Sequence, residues 1–245
     1  MANREKFLLL SLTAVVLLPA FFFSAAFAGA AIVDAEKNED FDFKSIKKVA
    51  FLPFTRINPD GGGSSSCPVY SGRHPACRIE DHAESGLSRI AAHALYGSSI
   101  DMQWIEQPRI SGARARLKKE GHPEYTRYGQ WQRAIGKEVD ADAVLFGYIY
   151  CYRQRKGSAL ASAEPAAISF CLHLMDPHSG KIIWSFRYAD EQQALFENLL
   201  NLPRFLKRGG KWITVEEMAQ EAAPLIVEKF PCPGKDIGKQ DQPGN

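Results

Sequence analysis

The five cysteines are the most reactive side chains in this 245-residue sequence. Cys67 and Cys77 lie in a segment rich in Gly, Ser and Pro, where a disulfide would pin a chain that has little else to hold it. The alternative is a zinc site that also uses the nearby His74 and His82. Because the spacing lacks the paired C-x-x-C pattern typical of zinc sites, the sequence predicts a Cys67–Cys77 disulfide and no metal.

Cys151 and Cys171 fall in two strands of a predicted hairpin. If the loop is 156–165, the numbers of residues that face each other across the hairpin sum to 321 or 322. At a sum of 322, Cys151 faces Cys171, and the two cysteines can form a disulfide. The alternative is a pair of small buried apolar residues, and both interpretations fit the sequence. His173 alternates with the apolar face of its strand and is expected at the surface or an interface. Cys232 is left without a predicted partner.

The sequence contains no recognisable catalytic constellation. There is no G-x-S-x-G or H-E-x-x-H motif, and the run 61–66 lacks the G-K-[ST] ending of a phosphate loop. A thiol-redox protein would need a C-x-x-C pair at a helix start. The formal net charge is +2 with no concentrated basic stripe, which argues against nucleic acid as a partner. We therefore expect no enzyme activity and no cofactor.

Residues 1–28 have the three parts of a cleavable secretory signal peptide. A basic start precedes an apolar run that is broken by Pro19, and Ala26 and Ala28 form an A-x-A step. We expect export, cleavage after Ala28, and a mature protein in the periplasm, where it can associate with the outer membrane. The alternative is an uncleaved anchor, because apolar residues continue to Val33.

Hydrophobic periodicity predicts one small domain of the α/β (α+β) class with a mixed sheet in residues 45–232. The expected order is strand, helix, strand and helix, then a three-stranded antiparallel meander and a C-terminal helix. A capping box of Thr214 with Glu217 begins the last helix, and Asp81 with Glu84 predicts a similar start for the first.

Three polar segments accompany the domain. Residues 29–44 are an acidic lead-in, and residues 233–245 are a Gly- and Pro-containing tail that is expected to be disordered. A cysteine-bearing loop covers about 56–80, and its run 58–66 is expected to be flexible because it can bury almost nothing.

Residues 194–206 are crowded with large apolar side chains. One interpretation is that they cover the sheet as part of the core. The other is a surface that faces a partner or the membrane, since exposed apolar patches of this size usually mark binding sites. The candidate contact residues are Leu195, Phe196, Leu199, Leu200, Phe205 and Leu206.

Three motifs, in this order, resemble a family of envelope proteins that share one small α/β domain. They are the opening strand 49–54, the passage from helix to strand at 139–147 and the hairpin 174–184. The family includes the curli-secretion channel subunit, the lipoprotein activators of penicillin-binding proteins and the amino-terminal domain of the Tol-system propeller protein. The stretch 197–212 resembles uncharacterised members. The lipid-anchoring cysteine common in the family is absent, and the cysteine-bearing loop is extra.

The resemblance implies a role in assembly, secretion or cell-wall regulation and carries no catalytic residue. We expect a non-enzymatic periplasmic or outer-membrane-associated accessory protein that acts through contacts with an envelope protein partner. Peripheral membrane association is compatible with the apolar segment. The alternative is a periplasmic enzyme or a small-ligand-binding protein of unidentified chemistry.

Overall fold

The computed structural model describes residues 31–57, 62–96, 100–121, 129–157, 162–192, 206 and 208–231. The strands in this part of the chain are β1 (Ile32–Lys37), β2 (Lys48–Phe51), β3 (Thr55–Arg56), β4 (Gly63–Ser66), β5 (Arg73–Ala76), β6 (Asp101–Trp104), β7 (Ala143–Arg153), β8 (Lys156–Gly157), β9 (Ser162–Glu164), β10 (Ala167–Met175) and β11 (Ile182–Glu191). The helices are α1 (Ala83–Leu95), α2 (Gln107–Lys119), α3 (Gln130–Glu138) and α4 (Val215–Lys229).

The main sheet is mixed, with the strand order β1-β11-β10-β7-β2-β6, and β3 pairs with β7 beyond the end of β2. β2 runs parallel to β6 and β7. β7, β10 and β11 form an antiparallel meander, which confirms the predicted class and its three central strands. β1 adds an antiparallel edge strand within the segment expected only as a polar lead-in.

The two faces of the sheet carry separate cores. Along β10, Phe170, Leu172 and Leu174 point to one face, whereas Cys171 and Met175 point to the other. α1 and α4 cover the first face through Leu87, Ala91, Leu95, Met218, Ala222 and Ile226. α2 and α3 cover the second through Ile110, Ala113, Trp131 and Ile135. Among the described helices, none is both long and apolar enough to cross a membrane.

The predicted capping box of α4 is confirmed. Thr214 Oγ1 accepts a hydrogen bond from the Glu217 backbone N–H at 3.1 Å, and the Glu217 carboxylate accepts one from the Thr214 N–H at 2.7 Å. Two N–H groups that the helix itself leaves unpaired are thereby satisfied.

The capping pair of Asp81 with Glu84 that was predicted at the start of α1 is wrong. The residue that caps the helix is His82, in a left-handed conformation with φ 65°, and its side chain makes no capping hydrogen bond. The two carboxylates instead face a cation on β3: Glu84 lies 2.5 Å from the Arg56 guanidinium and Asp81 lies 3.7 Å from it.

A short hairpin of β4 and β5 lies inside the cysteine-bearing loop. Its register pairs Gly63 with Ala76 and Ser66 with Arg73. The expectation of a flexible loop is therefore wrong for residues 63–66, because backbone hydrogen bonds to β5 hold a segment that has almost no apolar side chain to bury. His74 and Ala76 are the buried side chains of β5.

Candidate functional site

Cys77 and Cys151 form a disulfide, with their Cα atoms 4.5 Å apart. The chain after the hairpin runs alongside the end of β7. The Cys77 N–H donates to the Tyr150 carbonyl at 3.0 Å, and the Glu80 N–H donates to the Tyr152 carbonyl at 2.9 Å. This pairing places Cys77 beside Cys151, and the disulfide fastens the cysteine-bearing loop to β7, the first strand of the meander.

The predicted Cys67–Cys77 disulfide is wrong because the hairpin separates the two residues. The Cys67 N–H donates to the Gly72 carbonyl at 2.9 Å, so Cys67 lies at the turn. Cys77 follows β5 at the open end of the hairpin. Five residues of extended chain, or about 17 Å at roughly 3.4 Å per residue, separate those two ends.

The predicted Cys151–Cys171 register is also wrong. Cys151 faces Ser169, and Cys171 faces Tyr148. The numbers of facing residues sum to 320 up to Ser169 and to 319 after an irregularity between Ser169 and Phe170, instead of 321 or 322. Cys171 is a buried free thiol, which agrees with the alternative interpretation for that residue. Cys232 lies outside the described residues.

Cys67, Cys171 and His173 come together between the hairpin and β10, and we call these three residues the Cys–His cluster. His173 Nε2 lies 3.3 Å from Cys67 Sγ and 3.0 Å from Cys171 Sγ. The three ligand-type atoms all lie within 4.8 Å of one another. His173 is 1% exposed, so its expected place at the surface or an interface is wrong. The β4–β5 hairpin covers this face of β10, and no pattern in the sequence indicates that cover.

Neighbouring side chains hold the cluster in place. His173 Nδ1 lies 2.8 Å from Ser185 Oγ on β11, which leaves Nε2 to face the two sulfurs. The Tyr150 hydroxyl lies 3.4 Å from Cys171 Sγ. The Tyr150 ring also stacks on His74, with centroids 4.0 Å apart and planes inclined by 8°. His74 is 2% exposed, and its Nδ1 has no hydrogen-bond partner.

The two thiols have opposite acidities. A hydrogen bond from Cys171 and the nearby His173 hold the pKa of Cys67 well below its usual range, although burial opposes this. Burial, together with the charge on Cys67, raises the pKa of Cys171 well above its usual value. Burial lowers the pKa of His74 and favours the neutral imidazole. These directions favour the thiolate form of Cys67 over that of Cys171.

A cavity of about 80 Å³ adjoins the cluster, and its lining includes Asp34, Glu36, Tyr70 and Arg187. Pockets for organic ligands usually measure roughly 300–1,000 Å³. A second cavity, of about 250 Å³ near Arg133, is also below that range. The cavity beside the cluster has room for an ion or a few water molecules, and it is smaller than a typical pocket for an organic ligand.

The predicted contact residues Leu195, Phe196, Leu199, Leu200 and Phe205 lie outside the described residues. Leu206 is described, and 62% of its surface is exposed. Two residues later the Arg208 side chain is only 5% exposed and pairs with Asp190 at 2.8 Å and Glu221 at 2.5 Å. This buried ion-pair group, which the sequence did not reveal, anchors the chain next to the exposed leucine.

No protein-family model and no curated protein matches the chain. Among solved structures, the chain is similar to the PelC dodecamer from Paraburkholderia phytofirmans, with 13% identity, a TM-score of 0.46 and coverage of 83% of this chain and 99% of that one. It is similar to the LpoB C-terminal domain from Escherichia coli at 17% identity, TM-score 0.35, over 62% and 88% of the two chains. A third similarity is to Lipoprotein GNA1162 from Neisseria meningitidis at 13% identity, TM-score 0.34, over 60% and 81%.

Proposed function

We propose that this chain is a non-enzymatic accessory protein of the bacterial cell envelope. In this proposal it is exported to the periplasm, with or without association with the outer membrane, and it acts in assembly, secretion or cell-wall regulation. Its partner is another envelope protein, which it contacts through the apolar segment that ends at Leu206.

The exposure of Leu206 is the observation that carries the proposal. A leucine that is 62% exposed gains little from the core of its own chain. The buried Arg208 ion pairs anchor the chain two residues after Leu206. Leu206 ends a strongly apolar stretch of the sequence, and a contiguous apolar patch at a surface usually marks a contact site.

One further observation supports the compartment, and another bears on the enzyme alternative. The Cys77–Cys151 disulfide suits an oxidising compartment outside the cytoplasm. The Cys–His cluster places a cysteine beside an imidazole, a combination that cysteine hydrolases also use. However, Cys67 is only 8% exposed, and the adjoining cavity of about 80 Å³ leaves no room for an acyl substrate.

The test compares Leu206→Ala with Val227→Ala, a control at a residue of α4 that is 37% exposed. Tagged, exported proteins are measured for melting temperature and for recovery of envelope partners. Both variants should melt close to the wild type, and only Leu206→Ala should lose a partner. A buried leucine truncated to alanine typically costs about 2–5 kcal/mol, so a large loss of stability in Leu206→Ala would place the residue in the core. Unchanged partner recovery would also contradict the proposal.

A further inference from the structure

We propose that Cys67, Cys171 and His173 bind a zinc ion that fastens the β4–β5 hairpin to strand β10. This site goes beyond the proposed function, and it replaces the expectation from the sequence that the chain holds no metal. Two thiolates and one imidazole form a donor set that zinc prefers over harder cations such as Mg²⁺ or Ca²⁺.

The spacing of the three donors fits a tetrahedral ion with little movement. Zinc–sulfur bonds of about 2.3 Å and zinc–nitrogen bonds of about 2.0–2.1 Å put nitrogen and sulfur roughly 3.6 Å apart. The observed distances from His173 Nε2 are 3.3 Å to Cys67 Sγ and 3.0 Å to Cys171 Sγ. His173 Nε2 therefore needs to move away from the two sulfurs by only about 0.3–0.6 Å to admit the ion, by the same bond lengths.

The surroundings of the cluster have the features of a metal site. Ser185 Oγ contacts His173 Nδ1 at 2.8 Å, which orients the ring so that Nε2 faces the sulfurs, as second neighbours of bound metals do. His74 is buried, and its Nδ1 has no hydrogen-bond partner. His74 and the cavity of about 80 Å³ lie beside the cluster, where they can supply a fourth ligand as nitrogen or water.

The position of the cluster gives the ion a structural role. β4 consists of one glycine and three serines and buries none of its residues. It is held to the sheet through its pairing with β5, through Cys67 at the turn and through the Cys77–Cys151 disulfide at the open end. A zinc ion held by Cys67 together with two residues of β10 would fasten the turn as the disulfide fastens the other end.

The experiment uses the exported full-length protein, purified without chelators. Metal content is measured by mass spectrometry, and alkylation of each cysteine is mapped before and after chelation. Cobalt is then substituted for zinc and the absorption spectrum is recorded. We expect one zinc per chain, alkylation of Cys67 and Cys171 only after chelation, and thiolate-to-cobalt charge-transfer bands. The chelated protein should melt at a lower temperature, and zinc should restore it.

Cys171→Ser should lose the zinc and the cobalt bands, whereas the control His93→Gln, at an exposed residue of α1, should keep both. If Cys171→Ser does not fold, the alkylation and cobalt measurements on the wild type decide. A Cys67–Cys171 disulfide in the exported protein would overturn the proposal. So would two thiols that are alkylated without chelation in a protein that takes up no added zinc.

Discussion

Replacing Arg208 by alanine should be among the most destabilising single changes away from the apolar cores. The Arg208 side chain is 5% exposed, and that of its partner Asp190 is 1% exposed. At 2.8 Å and an effective dielectric constant near 20, their attraction is about 6 kcal/mol before the cost of burying the two charges. Glu221 is 39% exposed and can regain water, so the penalty falls on the Asp190 carboxylate.

Removing one partner from a buried ion pair typically costs about 3–5 kcal/mol. For a chain of this size, a loss of that magnitude lowers the melting temperature by about 6–20 °C. The matched control is Arg116→Ala, whose side chain is 58% exposed in an ion pair with Glu138. That variant should lose less than about 1 kcal/mol, because exposed pairs are screened by water.

Thermal and urea unfolding, followed by circular dichroism, measure both variants. A second change, Asp190→Asn, should recover part of the loss in the Arg208→Ala background, because it removes the buried charge that was left behind. If Arg208→Ala loses no more stability than Arg116→Ala, burial of this ion pair does not anchor the chain beside Leu206, and the reasoning fails.

Three further predictions can be measured on the same protein. Mass spectrometry should find a mature N-terminus at Gly29, and an intact Met1 in the membrane fraction would mean an anchor instead. Peptide maps under non-reducing conditions should link Cys77 to Cys151. Because the bond closes a loop of 74 residues, the chain-entropy model predicts that it stabilises the fold by about 4 kcal/mol. A Cys67–Cys77 link would contradict the hairpin register. A hydrogen bond from the Thr214 backbone lowers the pKa of Glu217. The capping box therefore stabilises the fold fully at pH values above the ordinary carboxyl pKa, and this stabilisation is lost as the pH falls through the lowered pKa. The advantage of the wild type over Glu217→Ala should therefore shrink between about pH 6 and pH 3, and an advantage independent of pH would contradict it.

The features that the sequence predicted are those set by local patterns. Alternation with a period of two reveals β10 and β11, because every second residue faces the same core. The Thr214–Glu217 box depends on residues three positions apart, so its pattern is complete within one turn of helix. The sequence did not predict β1, because its outward side chains are polar and it pairs with the sheet along one edge only.

The features that were missed depend on distant contacts. The disulfide joins residues 74 positions apart, and only the course of the chain along β7 brings them together. The Cys–His cluster did leave one signal in the sequence. Cys171 and His173 are two residues apart on a strand, so their side chains share a face. That face is covered by a hairpin whose first strand is glycine and serine, and no side-chain pattern indicates its backbone pairing.

The central claim, that the chain works by contacting an envelope protein through the surface at Leu206, is tested most directly by photo-cross-linking in living cells. A photoreactive amino acid replaces Leu206 in one strain and the control residue Val227 in another, and adducts are identified by mass spectrometry. The account predicts one defined envelope protein cross-linked at position 206 and absent from position 227. No adduct at 206, or the same adducts at both positions, would contradict it.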